Sequence, residues 1–334
     1  MTQQHQIPSQ IVAALSMTHT PGLGDRMGDA PKEQAETMQA AFAEGRELLA
    51  KAKPDVIIAF VNDHFDMYSL ENMPTFSVCV ADTHYGPPEA AEKWLQMKRR
   101  SFKGHADYSL DILKQSIADG FDMARSGSAE FVHNVLIPVK YLMPDCDIPV
   151  VPVFVNCFAP PLPSFRRCYE LGELIGKVIA KRPEKVALIA SGGISHWPPF
   201  VKEDEPNPDD LARRMLRVQQ RGAIGRVEDP GVRVLIHEKE RELAASDREM
   251  INIQWDKDLL DGFARGDKEY FTSMTYDEIE RLGGNGGHEM CLWVALMAAL
   301  GGAPSRTLVY EPVKAWMGGV GVISYDQAIN GKSA

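Results

Sequence analysis

Three histidines stand where apolar runs end. His19 follows "IVAALSM" in "SMTHTPGL", His64 follows "DVIIAF" in "FVNDHFDMY", and His196 follows "KVALIAS" in "SGGISHWPP". A fourth, His133, opens the apolar stretch "HNVLIPVKYLM". Imidazole suits two kinds of chemistry at such places: it binds a metal through a ring nitrogen, and it moves protons near neutral pH. In open α/β sheets the carboxyl ends of the strands line the ligand crevice. Three histidines at three strand ends could therefore meet there. A single histidine at a strand end is ordinarily a capped or solvent-facing residue, and spacing alone does not establish convergence. His5, His84, His105 and His237 lie in polar surroundings and are read as surface residues.

A metal held by these histidines needs a carboxylate. Glu289 stands out because "GGHEMCLWVALMAAL" is otherwise apolar. Buried, a carboxylate must be paired or metal-bound to offset its desolvation. Alternatively it sits in an exposed first turn, favoured by the helix dipole. No His-Glu-x-x-His motif is present, since His288-Glu289 is followed by Met290, Cys291 and Leu292. The preceding "GGNGG" reads either as an anion nest or as a plain flexible loop.

The elements that must carry these groups alternate in type. "IVAALSM", "DVIIAFV", "TFSVCVA", "IPVVPVFV", "KVALIAS", "RTLVYEP" and "GVGVISY" read as strands. Helices are expected from Pro31 to Lys53, with Met38, Phe42 and Leu49 inward, and from about Ser164 to Ala180. A stripe of Leu110, Leu113 and Ile117 marks another helix. "HNVLIPVKYLM" reads as a short helix with Pro138 confined to its first turn. The expected fold is α/β, a central mixed sheet in layers with helices on both faces. Residues 201–249 are charge-dense and form a helical excursion, a lid or subunit contact on one reading and a solvated face on the other. With no linker, repeat or low-complexity tract, one catalytic domain over 1–334, with its core at about 11–326, is the economical organisation.

A net charge of −10 argues against nucleic acid and anionic membranes as partners. No apolar run approaches the roughly 20 residues of a membrane span. Five cysteines without Cys-x-x-Cys spacing suggest reduced thiols, and the polar start "MTQQHQIPSQ" has no signal-peptide core, so a cytoplasmic protein is expected.

Together these segments resemble a family. "SMTHTPGL", "VNDHFDMYSLENMPTF", "FVHNVLIP", "IPVVPVFVNCFAPPLPSFRRCYELGELIG", "SGGISHWPP", "NIQWDKDLLDGFARGD" and "GHEMCLWVALMAAL" occur in the order found in class III extradiol ring-cleaving dioxygenases. The likeness runs from about residue 12 to 325 and is weakest over 85–105 and 201–245. It implies an Fe(II) site at His19, His64 and Glu289, a facial triad that leaves positions open for a catechol and O₂. It implies His196 as the acid–base histidine and His133 as a second active-site histidine. Where the family has Asp-His-Gly, this chain has Val132-His133-Asn134, which puts the tuning of His133 in question. Asp63 either orients the His64 imidazole or is a turn residue. The expected activity is extradiol cleavage of a catechol by O₂, in an enzyme that is a homo-oligomer.

Length and texture resemble the branch acting on a carboxylated, lignin-derived biphenyl catechol. Dihydroxyphenylpropionate-type and protocatechuate-type catechols are the alternatives. Arg166, Arg167, Lys98, Arg99, Arg100 and Lys103 are candidate partners for a substrate carboxylate, or cations on solvated faces. Two rival functions are a zinc hydrolase using the same donors and a metal-free interaction module of the same fold.

Overall fold

The computed structural model describes residues 6–331, which places His5 outside the described residues. The strands are β1 (Ile11–Met17), β2 (Val56–Asn62), β3 (Phe76–Cys79), β4 (Thr83–Gly86), β5 (Arg100–Lys103), β6 (Ala124–Ser126), β7 (Val150–Val155), β8 (Val186–Ser191), β9 (Arg306–Val313) and β10 (Gly318–Ser324). Eight of them form one sheet in the order β6-β3-β7-β2-β8-β1-β10-β9, and β4 pairs with β5 in a separate ribbon. The four central strands, β7, β2, β8 and β1, are parallel. The antiparallel β10 and β9 extend one side, and β3 joins β7 antiparallel on the other. "VIIAFVN", "VVPVFV" and "VALIAS" are buried along their whole length, as parallel strands covered on both faces must be.

The helices are α1 (Gly22–Asp25), α2 (Lys32–Ala52), α3 (Glu89–Leu95), α4 (Ala106–Ala118), α5 (His133–Leu142), α6 (Phe165–Ile179), α7 (Asp210–Arg221), α8 (Ala223–Glu228), α9 (Val232–Ala245), α10 (Ile253–Arg265), α11 (Lys268–Ser273), α12 (Tyr276–Gly283), α13 (Met290–Ala299) and α14 (Asp326–Asn330). An apolar core lies on each face of the sheet: α2 and α5 cover one, α6 and α13 the other. Every residue of α13 is buried. It packs against α6 so closely that a Cβ on Gly172 would collide with the carbonyl of Ala295. None of these helices is long and apolar enough to cross a membrane. The five cysteines are free thiols.

Several local expectations need correction. Helix α4 is present, but Tyr108 and Ile112 form its buried side while Ile117 is 56% exposed. Pro138 sits in the second turn of α5, because packing of Val135, Val139 and Leu142 overrides the helix-breaking cost. His84 is fully buried in β4, where its Nδ1 accepts from Ala129 N at 3.0 Å.

Candidate metal and active site

Strand register explains how residues far apart in sequence meet. β8 lies between β1 and β2, with Met17 opposite Ser191 and Phe60 opposite Ala190. His19 lies two residues beyond the end of β1, His64 two beyond β2, and the loop Gly192–His196 leaves β8 between them. Glu289 ends the short 3₁₀ turn Gly287–Glu289 that leads into α13. Of the two readings of Glu289, the exposed first turn fails, because the residue is completely buried.

The four side chains close on one point. Oε1 of Glu289 lies 3.1 Å from His64 Nε2 and 3.4 Å from His19 Nε2, and Oε2 lies 3.7 Å from His196 Nε2. His133 joins from the start of α5, its ring 4.3 Å from that of His64 and 5.2 Å from that of His19. Burial pushes the Glu289 carboxyl up, but the imidazoles of His19, His64 and His196 outweigh it and hold the group well below the usual carboxylate range. Burial lowers His64, and burial together with the neighbouring His64 and His19 lowers His133 well below the ordinary value. Both shifts favour the neutral ring, the state a metal ligand needs.

This donor set fits a metal. His19 Nε2 and the Nδ1 atoms of His64 and His133 are buried without a hydrogen-bond partner. Donor atoms of His19, His64 and His133 lie within 4.8 Å of one another. A fully buried carboxylate facing imidazoles is costly unless a cation completes it.

Surrounding groups fix these side chains. Ser191 Oγ lies 2.9 Å from His19 Nδ1. The Asn62 amide donates to Glu289 Oε1 at 2.8 Å, and Gly193 N donates to Oε2. Asn134 in turn donates to the Asn62 carbonyl at 2.6 Å. His196 Nδ1 lies 3.0 Å from the Ile194 carbonyl, which can only accept, so this nitrogen carries the proton and Nε2 is free in the neutral ring. Glycines 193 and 286 flank the ring, and a Cβ at either would strike it. Asp256 holds the loop from behind, accepting from Ser195 N at 2.9 Å and from the Tyr310 hydroxyl at 2.7 Å. Asn62, Asp256 and Tyr310 were not singled out from sequence. Only the polar Asn62 at the end of an apolar strand carried a signal.

Asp63 proves to be a turn residue, since its carboxylate accepts from the amides of Asp66, Met67 and Tyr68. The "GGNGG" loop is not an anion nest. The amides of Gly284, Gly286 and Gly287 donate to the carbonyls of Glu280, His196 and Gly284.

A cavity opens over the cluster. Its walls include Trp197, Phe200 and Trp316, and its roof comes from the charged excursion, through Met215 of α7, Arg226 of α8, and Ile236 and Leu243 of α9. The excursion therefore covers the site. Arg226 fastens it, pairing with Asp66 at 3.0 Å and donating to the His64 carbonyl. The cations expected to meet a substrate lie elsewhere. Lys98 pairs with Glu92, Arg99 with Glu130, Lys103 with Asp147 and Arg167 with Glu170. Arg100 reaches the Pro144 carbonyl and Arg166 that of Thr272. Both cations lining the cavity, Arg226 and Lys239, belong to the excursion.

Comparison with known proteins agrees with this geometry. Residues 13–321 match the family described as the catalytic LigB subunit of aromatic ring-opening dioxygenase. A 2,3-dihydroxyphenylpropionate/2,3-dihydroxicinnamic acid 1,2-dioxygenase of Rhodococcus sp is 27% identical over 315 residues, covering 93% of this chain and 97% of the relative. The protein of that name from Burkholderia vietnamiensis is 32% identical over 313 residues, covering 92% and 95%. That from Photorhabdus laumondii is 28% identical over 323 residues, covering 94% and 96%. The chain belongs to the LigB family of aromatic ring-opening dioxygenases and is an extradiol-type ring-cleaving enzyme.

Proposed function

We propose that His19, His64 and Glu289 hold one Fe(II), and that the enzyme cleaves a carboxylated catechol beside the bond joining its two hydroxylated carbons. The carrying observation is the fully buried Glu289 carboxylate, 3.1 Å from a ring nitrogen of His64 and 3.4 Å from one of His19. Two imidazoles and one carboxylate are the donors of an iron facial triad. His133 is near enough to offer a third imidazole. Glu289 is favoured because a buried carboxylate needs the cation more than a neutral imidazole does. Bound there, iron would bring a catechol and O₂ to adjacent positions and pass electrons between them.

The protein's own groups supply the rest. His196, with Nδ1 donating to Ile194, presents an unprotonated Nε2 that takes the proton of a catechol hydroxyl. His133, whose neutral form burial favours, stands beside the His64 and His19 rings as a hydrogen-bonding group for an oxygen of the bound reactants. Its Nδ1 has no carboxylate partner, consistent with Val132 standing where the family has aspartate. Phe200, which lines the cavity with its ring 6.0 Å from that of His64, forms an apolar wall for the aromatic ring. The roof of α7–α9 limits water at the reacting carbons.

A bulky carboxylated catechol, the lignin-derived biphenyl first, suits the aromatic walls and the cations of the roof. Dihydroxyphenylpropionate is the runner-up, supported by the activity for which the relatives are named. Anaerobic Fe(II) loading followed by O₂ uptake with unsubstituted catechol, protocatechuate, dihydroxyphenylpropionate and a carboxylated 2,3-dihydroxybiphenyl tests this. The last should lead in kcat/KM by about two decades over unsubstituted catechol. Preference for unsubstituted catechol or protocatechuate would overturn the substrate and leave ring cleavage standing.

A further inference from the structure

We infer that Lys239 is the specificity residue that receives an anionic substituent of the substrate, in the roof of the cavity whose floor is the histidine cluster. The inference rests on the proposed reading of that cavity as the site for a carboxylated catechol.

The charges lining the cavity are Arg226, Lys239, Glu240 and Glu289. Three are already committed. Glu289 faces the imidazoles. Glu240 is held by Arg26 at 3.2 Å and by His237 at 3.2 Å. Arg226 is spent on Asp66 and on the His64 carbonyl, and turning it toward a ligand would break both contacts. Lys239 differs. Its partner is Glu242, one turn along the same helix at 3.0 Å, and the two side chains are 44% and 68% exposed. Such a solvated pair contributes at most about 1 kcal/mol. Lys239 can leave it for a carboxylate inside the cavity, where apolar walls strengthen the attraction.

Helix periodicity puts the residue in a fitting place. Ile236, Lys239, Glu240 and Leu243 follow the spacing of one helix face, and all four line the cavity. Lys239 thus stands on the face of α9 that lines the cavity with Ile236 and Leu243, and its ammonium, now paired with Glu242, reaches the space a second ring would fill by turning away from that carboxylate. The flexible four-carbon stem of lysine lets the charge follow substituents of different length.

The test compares matched pairs on Fe(II)-loaded enzyme: 2,3-dihydroxybiphenyl with and without a carboxylate on its second ring, and dihydroxyphenylpropionate with its methyl ester. The readout is the ratio of kcat/KM, anionic over neutral, for wild type, Lys239→Met and Lys239→Arg. The wild type should favour the anion. Lys239→Met should cut that ratio about tenfold, chiefly through KM, and Lys239→Arg should keep most of it. The neutral partner serves as an internal control for folding and metal content. An unchanged ratio in Lys239→Met, or a wild type blind to the charge in both pairs, would overturn the role of Lys239. If neither biphenyl is cleaved, the biphenyl substrate falls, and the ratio measured with dihydroxyphenylpropionate and its ester still decides for or against Lys239.

Discussion

The side-chain amide of Asn62 donates to Oε1 of Glu289 at 2.8 Å and stands 3.2 Å from Nε2 of His64, so the last residue of β2 ties a carboxylate 227 positions away to the histidine beside it. Asn62→Ala should weaken Fe(II) binding by about tenfold or more, the usual cost of removing a group that orients a ligand. Asn62→Asp would set a second buried carboxylate against Glu289 and should destabilise the metal-free protein by roughly 3 kcal/mol at neutral pH. Anaerobic equilibrium dialysis and thermal unfolding check the two outcomes. Wild-type behaviour in both variants would mean that the contact does not hold Glu289.

His196 and His133 should separate in their effects. His196→Ala should keep its iron and lose turnover by roughly 10²–10⁴, the range of general acid–base catalysis. His133→Ala should lose less, since its ring has no carboxylate to tune it. Metal content and single-turnover rates on the same preparations decide this, and a larger loss at His133 would reverse the two roles.

Tyr310 should matter without touching substrate. Its hydroxyl donates to Asp256 Oδ2, and Asp256 Oδ1 accepts the amide of Ser195, next to His196. Tyr310→Phe leaves a buried carboxylate oxygen short of a donor, at a cost of about 1–3 kcal/mol. We expect kcat to fall about tenfold with iron content unchanged, because a misplaced base slows proton transfer. Equal loss of iron and of kcat would show that the contact serves the fold alone.

Much of this site was legible in the sequence because its signals were local. His19, His64 and His196 followed apolar runs that became adjacent parallel strands, and Glu289 broke an otherwise apolar helix. Whether they meet depends on strand order, and that β8 lies between β1 and β2 is a tertiary fact no local pattern carries. The roof was legible only as charge density: Met215, Ile236 and Leu243 are spaced too sparsely to announce a wall. The cations adjacent in sequence misled for a similar reason. Arg99 and Arg167 find carboxylates nearby on the surface, and only folding brings Arg226 and Lys239 over the histidines. His84 has polar neighbours in sequence but is buried against Phe131 in the β4–β5 region, which had no strong strand pattern.

That burial gives a pH dependence. Burial lowers the pKa of His84 from 6.5 to about 4. The folded state keeps the ring neutral where the unfolded chain protonates it. The associated stability is therefore complete above 6.5 and is lost as pH falls toward about 4, by roughly 3 kcal/mol across that window. His84→Gln should flatten this part of the stability curve of the metal-free protein. Urea unfolding at pH 7, 6, 5 and 4.5 measures it, and parallel curves for variant and wild type would contradict the assignment.

The most direct test of the central claim is the anaerobic Fe(II) binding isotherm of wild type, Glu289→Ala and His133→Ala, measured side by side. The account predicts one iron per chain in wild type, near-wild-type affinity in His133→Ala, and a loss of at least about 100-fold in Glu289→Ala. Iron bound normally by Glu289→Ala but lost from His133→Ala would instead assign the metal to the three histidines, and would contradict the proposed site.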